Sequence, residues 1–156
     1  MADRRTEARE AFESAHRELR QMLDAMSADD LNRESSNPGW TGKDLVAHLA
    51  SIDQRLRGQM RAAVEGKPWA PAEDVDTFNE RMVAERRSWT AEQVRAELDR
   101  SRDETLALFD SVKEDELDRF IDHPRRGRLT IPELCKHAAA HIQTHANEIA
   151  GTTAAT

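Results

Sequence analysis

The sequence predicts an all-α protein, a four-helix bundle, on three observations. Apolar residues recur at three- and four-residue steps over several long segments. Alternating β-branched runs are missing. Three segments open on a threonine followed three residues later by Asp, Gln or Glu, the signature of a capped helix start. In residues 3–26, Ala8, Phe12, Ala15, Leu19, Leu23 and Met26 form one stripe of a long helix. Residues 27–38 are polar and lead into Pro38-Gly39, a connector. Thr41 then caps a second helix, expected over about 42–64, with Leu45, His48 or Leu49, Ile52, Leu56 and Met60 inward.

Residues 66–76 carry Pro68 and Pro71 and read as a long loop. Residues 75–89 form a short helical piece with Phe78, Met82 and Val83 inward. Thr90 opens a further helix to about 112, so the two pieces make one kinked helix or two. Residues 113–129 are a polar connector with Pro124 and Gly127, where a short strand has room. Thr130 caps the last helix, expected over 131–150, with Pro132 in its first turn and Gly151 as its stop. Residues 1–151 then make one bundle, and 152–156 a frayed tail.

Composition narrows the function. The 156 residues are 38% hydrophobic and 34% charged, the balance of one small core under a solvated surface. No apolar run approaches the roughly 18 residues that span a bilayer. The start has no apolar signal region, and one cysteine, Cys135, excludes an internal disulfide, so a cytoplasmic protein is expected. Net charge is −7 with both signs interspersed, which argues against a nucleic-acid partner. The one basic cluster, Arg125, Arg126 and Arg128, reads as a solvated loop.

The histidines carry the chemistry. Of six, three lie four apart on the last helix: His137, His141 and His145. Four residues advance about 400° and roughly 6 Å, so neighbouring rings can share an ion while the outer two, about 12 Å apart along the axis, cannot easily do so. Leu134, Ala138, His141, Ile142, His145 and Ile149 form one inward stripe with His137 toward its edge, which selects His141 and His145 as the pair. An imidazole in an apolar stripe should be neutral and partnered, by a metal or by a carbonyl. His48 lies among the core residues of the second helix and can meet the last helix in a bundle. One His from one helix and two from another leave coordination positions open, the pattern of a catalytic metal site. Asp44 and Glu148 are placed to orient an imidazole or to bridge at the surface. His16 and His123 have no partner in sequence and read as surface residues, and Cys135 as a small core residue.

These residues resemble the DinB/YfiT-like superfamily. The resemblance rests on Gly39-Trp40-Thr41 with Asp44 and His48 at the start of the second helix, and on His141-Ile142-Gln143-Thr144-His145 on the last. The stretches 74–80 and 83–87 are similar to the branch near mycothiol-dependent maleylpyruvate isomerases and colibactin self-resistance proteins. The resemblance implies an up-down-down-up bundle with a long crossover between its second and third helices. It also implies a triad of His48, His141 and His145 around zinc, nickel or another divalent ion. It further implies chemistry on small electrophiles, as thiol transferase or hydrolase in detoxification or self-resistance, with a low-molecular-weight thiol such as mycothiol as a possible co-substrate. The isomerases carry a further C-terminal domain, which counts against maleylpyruvate isomerisation by a chain ending at Thr156. Trp40 is expected at the pocket mouth or as an anchor at the helix start, and Asn79 and Arg86 as contacts to a cofactor carboxylate or as surface residues. The alternative is a non-catalytic bundle that binds a metal or sequesters a ligand, alone or as a homodimer.

Overall fold

The structure, a computed structural model, describes the backbone of residues 3–154 and the side chains of 3–151. Four long helices dominate: α1 (Arg4–Asp24), α3 (Gly42–Glu65), α5 (Ala91–Ser111) and α6 (Ile131–Ala154). Short helices α2 (Ala28–Leu31) and α4 (Val75–Glu85) sit in the connections, and a hairpin of β1 (Phe120–His123) and β2 (Gly127–Thr130) precedes α6. The hairpin lies at the connector where the sequence leaves room for a short strand. Gly127, at φ 72°, takes the left-handed conformation that reverses the chain after Arg126.

Local chemistry sets the helix boundaries. Thr41 and Thr90 each accept a backbone N–H from the third helical residue, while Asp44 and Gln93 reach back to the cap N–H, satisfying donors that the helix leaves open. Glu133 does the same for Thr130 at the start of α6. Gly66, at φ 68°, ends α3. Gly151 does not end α6, which runs through it to Ala154. A Cβ at Gly151 would meet the Ser36 Cβ at 3.3 Å, so the missing side chain serves a close approach to the 32–41 connector rather than a helix stop. Residues 155 and 156 of the expected tail lie outside the described residues.

Side-chain contacts give the helix directions. Lys43 Nζ donates to the carbonyls of Arg87 and Trp89 ahead of α5, and Arg57 further along α3 donates to Ser101 and Thr105. α3 and α5 therefore run the same way, which requires the crossover that residues 66–90 supply. Arg5 reaches the carbonyl of Phe109, and Arg95 reaches Asp24, so α1 runs against α5. His48 meets His145 while Met60 meets Cys135, so α6 runs against α3. The core lies along this seam. Phe12, Leu19, Leu45, Leu49, Met60, Phe109, Ile131, Leu134 and Ile142 are all buried in it, the main stabilising burial of the fold. Among the described residues, no helix is long and apolar enough to cross a membrane.

Candidate metal centre

The inward stripes of α3 and α6 bring His48 to the last helix. The His48 ring lies 4.7 Å from that of His145, centre to centre and nearly edge-on, and His141 stands 6.1 Å from His145. Two imidazoles bound to one tetrahedral ion at about 2.1 Å have ring centres roughly 5 Å apart. The His141–His145 spacing is longer than that, and the His48–His145 spacing suits shared coordination. The ring orientation does not yet: among the described residues no group of three or more His, Cys, Asp or Glu side chains converges on a point that could hold an ion.

The hydrogen bonds of the rings decide which nitrogens are free. Glu148 Oε2 lies 2.9 Å from His145 Nδ1, and Asn37 Nδ2 donates to the same oxygen. A carboxylate only accepts, so Nδ1 carries the proton and Nε2 of a neutral His145 keeps its lone pair. His48 is buried, and its Nδ1 has no hydrogen-bond partner. A buried ring nitrogen left unpaired is costly, and an ion is one way to satisfy it. Burial, reinforced by His145 and His141, pushes the His48 imidazole down to about 3. Burial, then His145, Arg126 and His123, also lowers His141. Both rings are thus neutral at physiological pH, the form that binds a metal. Imidazole nitrogens are donors that suit a divalent transition-metal ion.

The rest of the histidines differ from their sequence reading. His137 is not a bystander at the edge. Its ring lies 4.6 Å from His141 and 5.4 Å from His123, and burial, then His141, Arg126 and His123, pushes it down to about 4. His123, expected at the surface, is half-buried beside it. The His123, His137 and His141 row lacks a third free nitrogen, however. The backbone N–H of Arg125 donates to His123 Nδ1, which puts the proton of the neutral ring on Nε2. His16, also expected at the surface, is buried, with Nε2 3.0 Å from Asp53 Oδ2 inside the core. The signal was present: His16 and Asp53 each continue an apolar stripe, His16 four residues after Phe12 and Asp53 three before Leu56.

A cavity of about 500 Å³ opens beside the rings. His48, His141 and His137 line it, and His145 does not. Its walls are apolar at Ile52, Leu56, Val75, Leu134 and Ala138, and Asn79 faces it. Arg125 and Arg126 are exposed, as expected of a solvated loop, and also line its rim. Arg86 stands elsewhere, in a two-point ion pair with Glu97, so it is no cofactor contact in this cavity. Trp40 packs 5.0 Å from the His48 ring, ring centre to ring centre, and anchors the helix start against the site. Asp44 is occupied in the Thr41 cap and does not orient His48.

Cys135 is buried beside Met60, and burial, with Asp53 nearby, pushes its thiol up to about 12. The thiolate fraction at pH 8 is then about 10⁻⁴, so the native protein should be silent toward a disulfide reagent such as DTNB and react fully once unfolded in guanidinium. Prompt reaction of the folded protein would contradict the burial.

A model of the DinB superfamily matches residues 11–149. The chain belongs to the DinB superfamily. Among curated proteins it is similar to the uncharacterized protein YuaE of Bacillus subtilis strain 168, at 24% identity over 149 residues, covering 88% of this chain and 92% of that one. Among solved structures it is similar to a mycothiol-dependent maleylpyruvate isomerase, with a TM-score of 0.84 and 15% identity over 97% of this chain. The chain spans 64% of the isomerase's length. It is also similar to YfiT of Bacillus subtilis, described as a probable metal-dependent hydrolase with an unusual four-helix bundle topology. There the TM-score is 0.78 and the identity 18%, over 97% of this chain and 86% of that one. At such identities the structural likenesses establish the shared bundle fold.

Proposed function

We propose that this DinB-superfamily chain is a divalent-metal-dependent enzyme that acts on small electrophilic molecules, as a thiol transferase or a hydrolase in detoxification. His48, His141 and His145 would hold the ion, zinc or nickel. The observation that carries this reading is the meeting of three imidazoles from two helices beside an apolar cavity, one of them with a buried, unpartnered Nδ1. A bound divalent ion with an open position supplies a thiolate or hydroxide near neutral pH. Around it, Glu148 accepts the His145 proton and Asn37 steadies Glu148, which fixes the ring with Nε2 available. Trp40 closes one side of His48. The apolar walls hold the organic body of the substrate and keep bulk water from the nucleophile.

Support from relatives is by analogy: the similar solved structures include proteins described as mycothiol-dependent and as probably metal-dependent. A low-molecular-weight thiol such as mycothiol is the proposed co-substrate, in the cytoplasm. The test is elemental analysis of the purified protein, followed by thiol consumption against a panel of electrophiles before and after chelation. Close to one metal per chain and chelator-sensitive consumption are expected. A protein that takes up no ion from zinc or nickel solutions overturns the reading. A metal-loaded protein without turnover would be a sequestering module instead.

A further inference from the structure

The cavity lining carries three guanidinium groups, Arg55, Arg125 and Arg126, against two carboxylates, Asp74 and Asp76. Arg55 on α3 lies with its guanidinium 5.6 Å from the Trp69 ring and 5.8 Å from that of Phe78, stacked rather than ion-paired. Among the described residues neither Arg55 nor Arg126, in the hairpin turn, has a carboxylate within 4.0 Å. Arg125 has only a 4.0 Å approach to Asp76, and both of those side chains are well exposed. The other acid at the cavity, Asp74, is engaged as the cap of α4, accepting from the backbone N–H and the hydroxyl of Thr77. Arg55, Arg125, Arg126 and His123 all line the same cavity, and the free ring proton of His123 sits on Nε2. The His137 ring stands between His123 and His141, and Ile52, Leu56, Leu134 and Ala138 supply apolar lining to the same cavity.

Aromatic stacking holds Arg55 in place without discharging it. Like charges crowd the wall from two elements, α3 and the hairpin. Arg126 is exposed and Arg55 is stacked, and the guanidinium fork of each matches a planar carboxylate. We propose that this wall is a carboxylate subsite, so that the cavity takes an organic acid with an apolar body, its carboxylate held by Arg55 and Arg126 with the His123 Nε2–H as a further donor. The inference deepens the enzymatic reading by naming its ligand class, and rests on that reading only for this cavity being the reaction site.

The test compares naphthylacetic acid with its neutral isostere naphthylacetamide and with naphthyl phosphate, by calorimetric titration of chelator-treated full-length protein. The acid should bind about tenfold or more tighter than the amide, the scale of one charge-assisted contact. Arg55→Gln and Arg126→Gln should each reduce acid affinity by about that factor while leaving the amide unchanged. Among the described residues Arg126 makes no ion pair or ring contact, so its variant is not expected to disturb folding; unchanged circular dichroism would confirm this. Equal affinity for acid and amide, no detectable binding of the acid, or tighter binding of the phosphate would each overturn the carboxylate subsite. Because no metal is present, the outcome is separate from that of the metal analysis: uptake of an ion without acid selectivity sinks the subsite alone, and acid selectivity without uptake sinks the metal reading alone.

Discussion

His48→Ala, His141→Ala and His145→Ala are each expected to abolish stoichiometric metal, measured by elemental analysis after loading with zinc or nickel and desalting. His137→Ala is expected to keep most of it. Removing one of three nitrogens from a small-domain site leaves two protein donors, too few to compete with water and buffer. The contrast with His137 carries the information. His137 lies closer to His141 than His145 does, 4.6 Å against 6.1 Å between ring centres, so distance alone would choose the wrong pair. Two other observations choose His145: its ring packs on His48, and Glu148 leaves its Nε2 free. If the His137 variant loses its metal and the His145 variant keeps it, the ion sits one helical turn nearer the hairpin. Glu148→Gln should weaken binding by roughly tenfold or more without abolishing it, as expected for a residue that acts through the ligand.

The long helices were legible because each carries its own start signal and its own stripe. Thr41 with Asp44 and Thr90 with Gln93 close the reciprocal caps that their spacing anticipates. The apolar stripes also place His48, His141 and His145 near a common seam, because periodicity specifies a face without tertiary knowledge. The failures have a shared cause. His16 and Asp53 lie on apolar faces, but a polar residue there is readable only once its partner is known, and the partner is on another helix. Arg125 and Arg126 are exposed loop charges as expected, but the cavity they also line is assembled from α3, α4 and α6, which no local pattern reveals. Gly151 was misread for a similar reason. Glycine marks helix ends often, yet here it lies inside the helix, where a Cβ would press on the Ser36 side chain. Local patterns therefore reveal elements and faces, while charge compensation depends on contacts between distant segments.

The second large effect concerns stability and lies at the core pair. His16→Leu is expected to destabilise the protein by about 1–3 kcal/mol, the scale for leaving a buried polar group without its partner. Asp53 is wholly buried, and His16 Nε2 is the partner given to its carboxylate, at 3.0 Å. The contact is within reach but not aligned as a hydrogen bond, so both carboxylate oxygens lack a directional donor. The Arg57 guanidinium on the next turn is committed to Ser101 and Thr105. A buried polar pair with such poor satisfaction recovers little of its desolvation cost, so deleting both members should cost less than deleting one. The double variant His16→Leu with Asp53→Ala should thus regain most of the loss, read as urea midpoints at constant slope. A His16→Leu cost below about 1 kcal/mol, or a double variant as unstable as the sum of its singles, would show that Asp53 has another source of compensation. The comparison also bears on metal binding, because the pair lies outside the cavity lining. Ion uptake should survive in the double variant, separating what holds α1 to α3 from what the histidines of α3 and α6 do.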